Sequence, residues 1–228
     1  MAQPDLTLFY SPKACSLASH ILLEESGLAF APVAVNIRAG DNRSPEYLRL
    51  NPKGTVPALR VGQTIVTESP AILAYIADLV PQRGLLPPVG TLQRAVAQEW
   101  LNAASGSLHG AYRAIFRPQH YAGDQEDAVR AVRARGQALL HEALLRVERS
   151  LEGKPYALGE AFSAVDPYLL VFYLWSQDER VDSALLPSLP RYRALAERLW
   201  QRPSVHAAIR REREVRRYDL PDFLEVDA

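Results

Sequence analysis

The sequence has a single cysteine, Cys15, in 228 residues, so no disulfide can close within the chain. The Met1 start lacks the charged and apolar regions of a secretory signal, and a reducing, cytoplasmic setting is the expectation. Neither sign of charge is in excess: Lys plus Arg and Asp plus Glu both total 26, leaving no global field to attract a nucleic acid or an anionic membrane. Long apolar runs are absent too. The strongest, 169-LLVFYLW-175, is about a third of the roughly 20 residues that cross a bilayer, so no membrane span is expected. The histidines show no metal-ligand spacing, and neither a G-x-G-x-x-G nor a Walker A loop is present, which argues against a metal or nucleotide cofactor.

What is present falls into two halves. Leu6 to Tyr10 reads as a short strand, and Leu17 to Glu25 carries apolar residues at helical spacing up to a stop at Gly27. Phe30 to Ile37 is a second β-rich run, and Ser44-Pro45 opens a short helix as N-cap and first helical residue. Val56 to Val61 and Thr64 to Thr67 flank Gly62-Gln63, the spacing of a tight hairpin, and Ser69 to Leu79 follows as a helix. The expected order is βαβαββα over residues 1–80. Three prolines and two glycines in 81–90 mark a linker. From 91 to 228 strand signals vanish, and helices are expected over roughly 91–117, 126–150, 163–178, 189–201 and 204–216, with an Arg/Glu-dense tail whose last residues fray.

Candidate chemistry lies at the junctions. Cys15 and Ser16 sit where the first strand meets its helix, where free amides and the dipole lower a thiol's pKa from about 8.5 towards ~7. A lone cysteine is equally a small buried hydrophobe. Val56-Pro57 opens a strand, as an ordinary trans proline or as a cis bond that turns the Val56 amide and carbonyl towards an extended peptide. Glu68-Ser69 opens the last helix of the first half: Ser69 as N-cap, its amides available to a carboxylate, and Glu68 placed to pair with an ammonium. The bland reading is a cap without a ligand. His109 lies on the first helix of the second half among apolar neighbours, as a packing residue or a catalytic one.

With these junctions the chain resembles the cytosolic glutathione transferases, and among them the bacterial beta class, from about Leu6 to Arg211. The resemblance rests on 10-YSPKACSLASHI-21, 51-NPKGTVPAL-59, 67-TESPAILAYIADLVP-81, 99-EWLN-102 with His109, 158-LGEAFSAVDPYL-169 and 202-RPSVHAAI-209. It implies an α/β thioredoxin-like N-terminal domain plus an all-α C-terminal domain, usually in a homodimer, with glutathione as co-substrate and no other cofactor. It further implies that Cys15, Ser16 and His109 surround the reacting sulfur. Tyr10, Val56, cis Pro57, Glu68, Ser69 and Asn102 would hold glutathione, and Tyr112 and Phe116 would face a small apolar electrophile. Ser163 and Asp166 match a structural S-x-x-D capping box.

The chain departs from the family at Gly110, where a lysine usually follows Leu-His, and in a shortened 38–43 loop. Arg38, Arg43 or Lys53 is then left to supply a basic contact to the peptide. Lys13 replaces a common glycine beside Cys15 and adds charge that favours a thiolate. The leading expectation is nucleophilic conjugation of the glutathione thiolate in detoxification. The alternatives are monothiol disulfide exchange through Cys15 and a non-catalytic binding scaffold.

Overall fold

A computed structural model describes residues 5–221. Met1 and the end of the Arg/Glu-dense tail, for which fraying was expected, lie outside them. Strand β1 (Leu6–Tyr10) leads to helix α1 (Leu17–Ser26), which ends at Gly27 with φ of 71°, a left-handed cap that only glycine adopts without strain. Strand β2 (Ala31–Ala34), helix α2 (Pro45–Leu50), strands β3 (Ala58–Val61) and β4 (Thr64–Thr67) and helix α3 (Ser69–Leu79) complete the first half. The strand order is β2-β1-β3-β4, with β2 parallel to β1 and the β3–β4 hairpin antiparallel. This is the thioredoxin-like βαβαββα arrangement.

Two expected strands are shorter than their sequence runs. β3 starts at Ala58 rather than Val56, because the Val56–Pro57 peptide is cis and Pro57 has no amide to give to a ladder. β2 spans only four residues of the 30–37 run, with Val35 N–H donating to the Tyr10 carbonyl just past its end.

The second half is helical. Helix α4 (Leu92–Ala103) runs through a π-turn (Ala104–Leu108) into α5 (His109–Phe116), so the single 91–117 helix expected is interrupted just before His109. A short α6 (Gln119–Ala122) precedes α7 (Glu126–Ser150), followed by α8 (Val165–Ser176), α9 (Pro190–Trp200) and α10 (Pro203–Val215). All twelve residues of α8 are buried, which explains its unbroken apolar run without any need for a membrane. No described helix is long and apolar enough to cross a bilayer.

The capping box forms as expected: the Asp166 carboxylate accepts from Ser163 N–H and Ser163 Oγ, while Ser163 Oγ accepts from Val165 N–H.

One continuous core joins α1 and α3 to the helical half. In β1, Leu6, Leu8 and Tyr10 enter that core, while Phe9 faces the other side with Val35, Tyr47 and Ala58. Helix α1 is buried on nearly every side because it lies between α3, α8 and α10.

Candidate active site

The turn after β1 carries the cysteine. Ala14 N–H closes onto the Ser11 carbonyl, and Ser16 Oγ spans the same turn, donating to Ser11 O at 3.2 Å and accepting from Ser11 N–H at 3.1 Å. Ser16 is fully buried with both bonds made, so its hydroxyl holds the turn's shape. This corrects its expected place beside a reacting sulfur.

Lys13 takes a left-handed φ of 62°, rare for a residue with a side chain, and is tied down from the helical half. Its N–H donates to Glu212 Oε2 at 3.1 Å, its carbonyl accepts from Trp175 Nε1 at 3.0 Å, and Arg216 donates to the neighbouring Pro12 carbonyl at 2.8 Å. The Lys13 ammonium lies 3.4 Å from Asp178, so its charge is spent there rather than on the thiol.

Cys15 is 8% exposed, and its Sγ donates to the Val56 carbonyl at 3.6 Å. Burial pushes the thiol up to about 11, against the opposing pull of a hydrogen bond from Ser69. The expected lowering towards 7 is thereby overturned. Helix α1 begins only at Leu17 and Ser16 makes no side-chain cap, so the dipole's help does not offset desolvation. At neutral pH Cys15 is a neutral S–H donor.

Val56 is aimed at this sulfur by the loop before it. Asn42 Nδ2 donates to Gly54 O at 2.8 Å, and Tyr47 Oη and Asn51 Nδ2 both donate to Thr55 O, at 2.7 and 2.9 Å. Gly54 has φ of 61°, and a Cβ there would meet the Asn42 carbonyl at 2.9 Å, so the loop requires glycine at this point.

Glu68 occupies the position before α3 with φ of 72°, and Ser69 is the first helical residue without a side-chain cap bond. Ser69 is therefore not the N-cap expected from the sequence. Its nearly buried hydroxyl turns inward, on the side of Cys15 and Tyr168, where it works to lower the pKa of both. Glu68 and Asn102 instead face each other across an open cleft of about 480 Å³, whose walls include Pro70, Ala71, Gln98 and Ser105. Gln98 Nε2 donates to Asn102 Oδ1 at 3.1 Å.

His109 follows the π-turn, a feature that often marks functional segments of helices. Its ring meets Trp175 edge-on at 5.2 Å and Phe172 at 6.0 Å. Burial, helped by the Arg113 charge and opposed by Glu68, lowers its pKa to about 4, so the imidazole is neutral at physiological pH. Arg113 and Glu68 act electrostatically on Cys15 as well, which puts the thiol and the imidazole within the field of the same two charges.

Two expected contacts fall elsewhere. Tyr10 ends the core face of β1, where its ring lies 5.0 Å from His20; alternation along the strand carries it away from the cleft. Tyr112 is fully buried, donating to the Phe172 carbonyl at 2.7 Å and stacked on the Phe172 ring, so it is a core residue rather than an open wall. Phe116 is half-buried, with the Arg180 guanidinium 3.9 Å above its ring. Sequence reasoning missed Trp175, which touches both the turn and His109, and Tyr168, whose raised pKa reflects burial together with the influence of Cys15, Ser69 and Ser105. Both are hidden in the apolar run of α8, where an aromatic reads only as core. Among the described residues no group of three or more His, Cys, Asp or Glu could hold a metal ion.

Asp178 anchors the outer edge. Burial works to raise its pKa, but bonds from Arg180 Nε (2.7 Å) and Nη2 (3.0 Å), with the charges of Arg180 and Lys13, hold it at about 2. A folded pKa below the ordinary value near 3.8 gives stability that is present above about pH 4 and lost as pH falls through 2, at most about 2 kcal/mol. Asp178→Asn is expected to flatten the stability–pH curve between pH 4 and 2, read from denaturant midpoints. An unaltered acid limb contradicts the assignment.

Residues 4–78 match the family described as glutathione S-transferase, N-terminal domain. The chain is 36% identical over 209 residues to glutathione S-transferase GstA of Escherichia coli O157:H7, covering 91% of this chain and 98% of that one. Among solved structures, a glutathione transferase homologue from Sulfitobacter with bound glutathione aligns with a TM-score of 0.82 at 33% identity, covering 91% and 98% of the two chains. The bacterial beta class glutathione S-transferase of Sphingomonas chungbukensis aligns at 0.77 and 35% identity, covering 90% and 98%.

Proposed function

The chain belongs to the glutathione S-transferase family and is a glutathione transferase, and from that premise we propose how its site works and where it works. Residues 1–80 hold glutathione and, beyond the 81–90 linker, residues 91–228 hold the electrophile. The cysteinyl part of the peptide pairs with the Val56 backbone at cis Pro57, its γ-glutamyl end lies by Glu68 and the first amides of α3, and Asn102 borders the same cleft. The observation that carries this reading is the neutral thiol of Cys15, held beside Val56. A buried S–H is a hydrogen-bond donor ready for an anionic sulfur, and a group that does not ionise adds no competing negative charge.

The reaction is attack of the glutathione sulfur on an electrophilic carbon with loss of a leaving group or addition across a double bond. The sulfur's proton must leave first. With its pKa lowered to about 4, His109 is too weak a base to keep that proton, which passes to solvent, while the neutral ring orients the thiol or a relaying water by hydrogen bonding. Donation from Cys15 then stabilises the thiolate; lowering its pKa by one unit corresponds to about 1.4 kcal/mol. His109, Phe116 and Trp175 form the apolar side on which an aromatic electrophile would rest. We assign the enzyme to beta-class conjugation in cytoplasmic detoxification. The high pKa of Cys15 weighs against disulfide exchange, which needs the thiolate.

A homodimer is part of this reading. Leu92 and Val96, one turn apart on α4, are 77% and 41% exposed beside Val89 at 76%, an apolar stripe suited to a second copy.

Cys15→Ala is expected to reduce kcat/KM for conjugation to an aryl halide about tenfold and to raise the kinetic pKa of bound glutathione by about one unit. Unchanged turnover and an unchanged pH profile together sink the donor role. Rapid formation of a glutathionyl adduct on Cys15 with oxidised glutathione, detected by mass spectrometry, favours the exchange reading instead.

A further inference from the structure

Lys53 stands where neither the strand pattern nor the family resemblance points to a single role. Its Nζ donates to Thr67 Oγ1 at 2.8 Å and to Glu68 Oε1 at 3.0 Å. Lys53 therefore lies at the Glu68 end of the cleft, where the γ-glutamyl group is placed, and not at the glycyl end for which a basic residue is sought. The pair is open to solvent, with the Lys53 and Glu68 side chains 55% and 64% exposed, and an exposed ion pair of this kind yields readily to a competing partner.

An α-amino acid terminus carries an ammonium and a carboxylate on one carbon. A carboxylate and an ammonium held 3.0 Å apart offer the complementary pattern, opposite charge to opposite charge. The Ser69 hydroxyl is turned away from the open side of the cleft, the residue being only 5% exposed. That leaves the α3 amides and Lys53 as the donors at this end. Glu68, in its left-handed conformation, carries its carboxylate out to the cleft wall, and Thr67 holds the Lys53 head beside it.

We propose that Lys53 and Glu68 together form a receptor for the α-amino-acid terminus of the thiol substrate, Glu68 taking its ammonium and Lys53 its α-carboxylate. The inference rests on the glutathione-binding reading above. Lys53 then selects for peptides bearing a free α-carboxylate on the γ-glutamyl residue, and its own bond to Glu68 fills the same position in the free protein.

The test is calorimetric titration with S-methylglutathione and with its analogue lacking the γ-glutamyl α-carboxylate. Lys53→Met is expected to raise the Kd for S-methylglutathione about tenfold and to leave the Kd for the analogue equal to that of the unaltered protein. Lys53→Arg, which keeps the charge, is expected to restore most of the affinity. An unchanged Kd for S-methylglutathione overturns the proposal, and so does tighter binding, which makes Lys53 a mere competitor for Glu68. An equal loss for both ligands overturns it too, because the effect is then not tied to the carboxylate. If the unaltered protein binds S-methylglutathione and only the Lys53 effect is missing, the receptor fails while the functional reading stands. Absence of binding to the unaltered protein at millimolar ligand overturns both.

Discussion

Glu212→Ala is expected to destabilise the protein by about 2–5 kcal/mol, because two hydrogen-bond partners lose their acceptor at about 1–3 kcal/mol each. Glu212 is fully buried on α10, and burial raises its pKa against the pull of His20 and the Lys13 amide. One carboxylate oxygen faces His20 Nδ1 at 3.4 Å and the other accepts from Lys13 N–H at 3.1 Å. Alanine leaves the Lys13 amide without its acceptor and His20 without its partner, and His20 Nε2 already has none among the described residues. The left-handed Lys13 loses a bond that holds it in an uncommon conformation, two residues before the thiol. The loss is measured as the denaturant midpoint at constant m. Glu212→Gln keeps an acceptor for the amide and is expected to recover more than half of the stability. A loss below 1 kcal/mol for the alanine variant means that the network contributes little.

Asp166→Ala is the second large effect, about 3–5 kcal/mol. Its carboxylate accepts from Ala157 N–H (2.8 Å), Ser163 N–H (2.7 Å) and Ser163 Oγ (2.9 Å), all in a fully buried setting. Burial pushes its pKa up to about 6 against those bonds. Removing the carboxylate strands two buried amides, each costing about 1–3 kcal/mol, and releases the start of α8. Because α8 supplies Trp175 and Tyr168 to the site, activity is expected to fall along with thermal stability. Circular dichroism melts check the first effect. A melting temperature within 2 °C of the unaltered protein's, far inside the shift expected for several kcal/mol in a chain of this size, contradicts it.

Most of the fold was legible because its signals are local. Gly62-Gln63 between two short strand-like runs specifies a hairpin, Gly27 stops α1, and the helical spacing beyond residue 91 leaves no room for a strand. Alternation in Leu6–Tyr10 also held a warning, since Tyr10 shares a face with Leu6 and Leu8 and was bound for the core. What escaped were properties set by distant packing. The thiol of Cys15 looked activated from its place before a helix, whereas its pKa is governed by burial. Ser69 looked like a cap, but the left-handed Glu68 turns it inward. The π-turn before His109 is centred on Gly106, which weakens a helix without specifying a π-turn, and Trp175 reads as one more apolar residue until its indole N–H meets the Lys13 carbonyl.

The bond from Lys13 to Glu212 spans 199 residues, and the one from Arg216 to Pro12 spans 204. During synthesis the cysteine turn leaves the ribosome about 200 residues before the two tethers from α10 and its C-cap reach it. A nascent chain therefore carries an unfinished thiol turn until α10 has emerged. Loss of that helix, by truncation or frameshift, would be felt at the turn after β1.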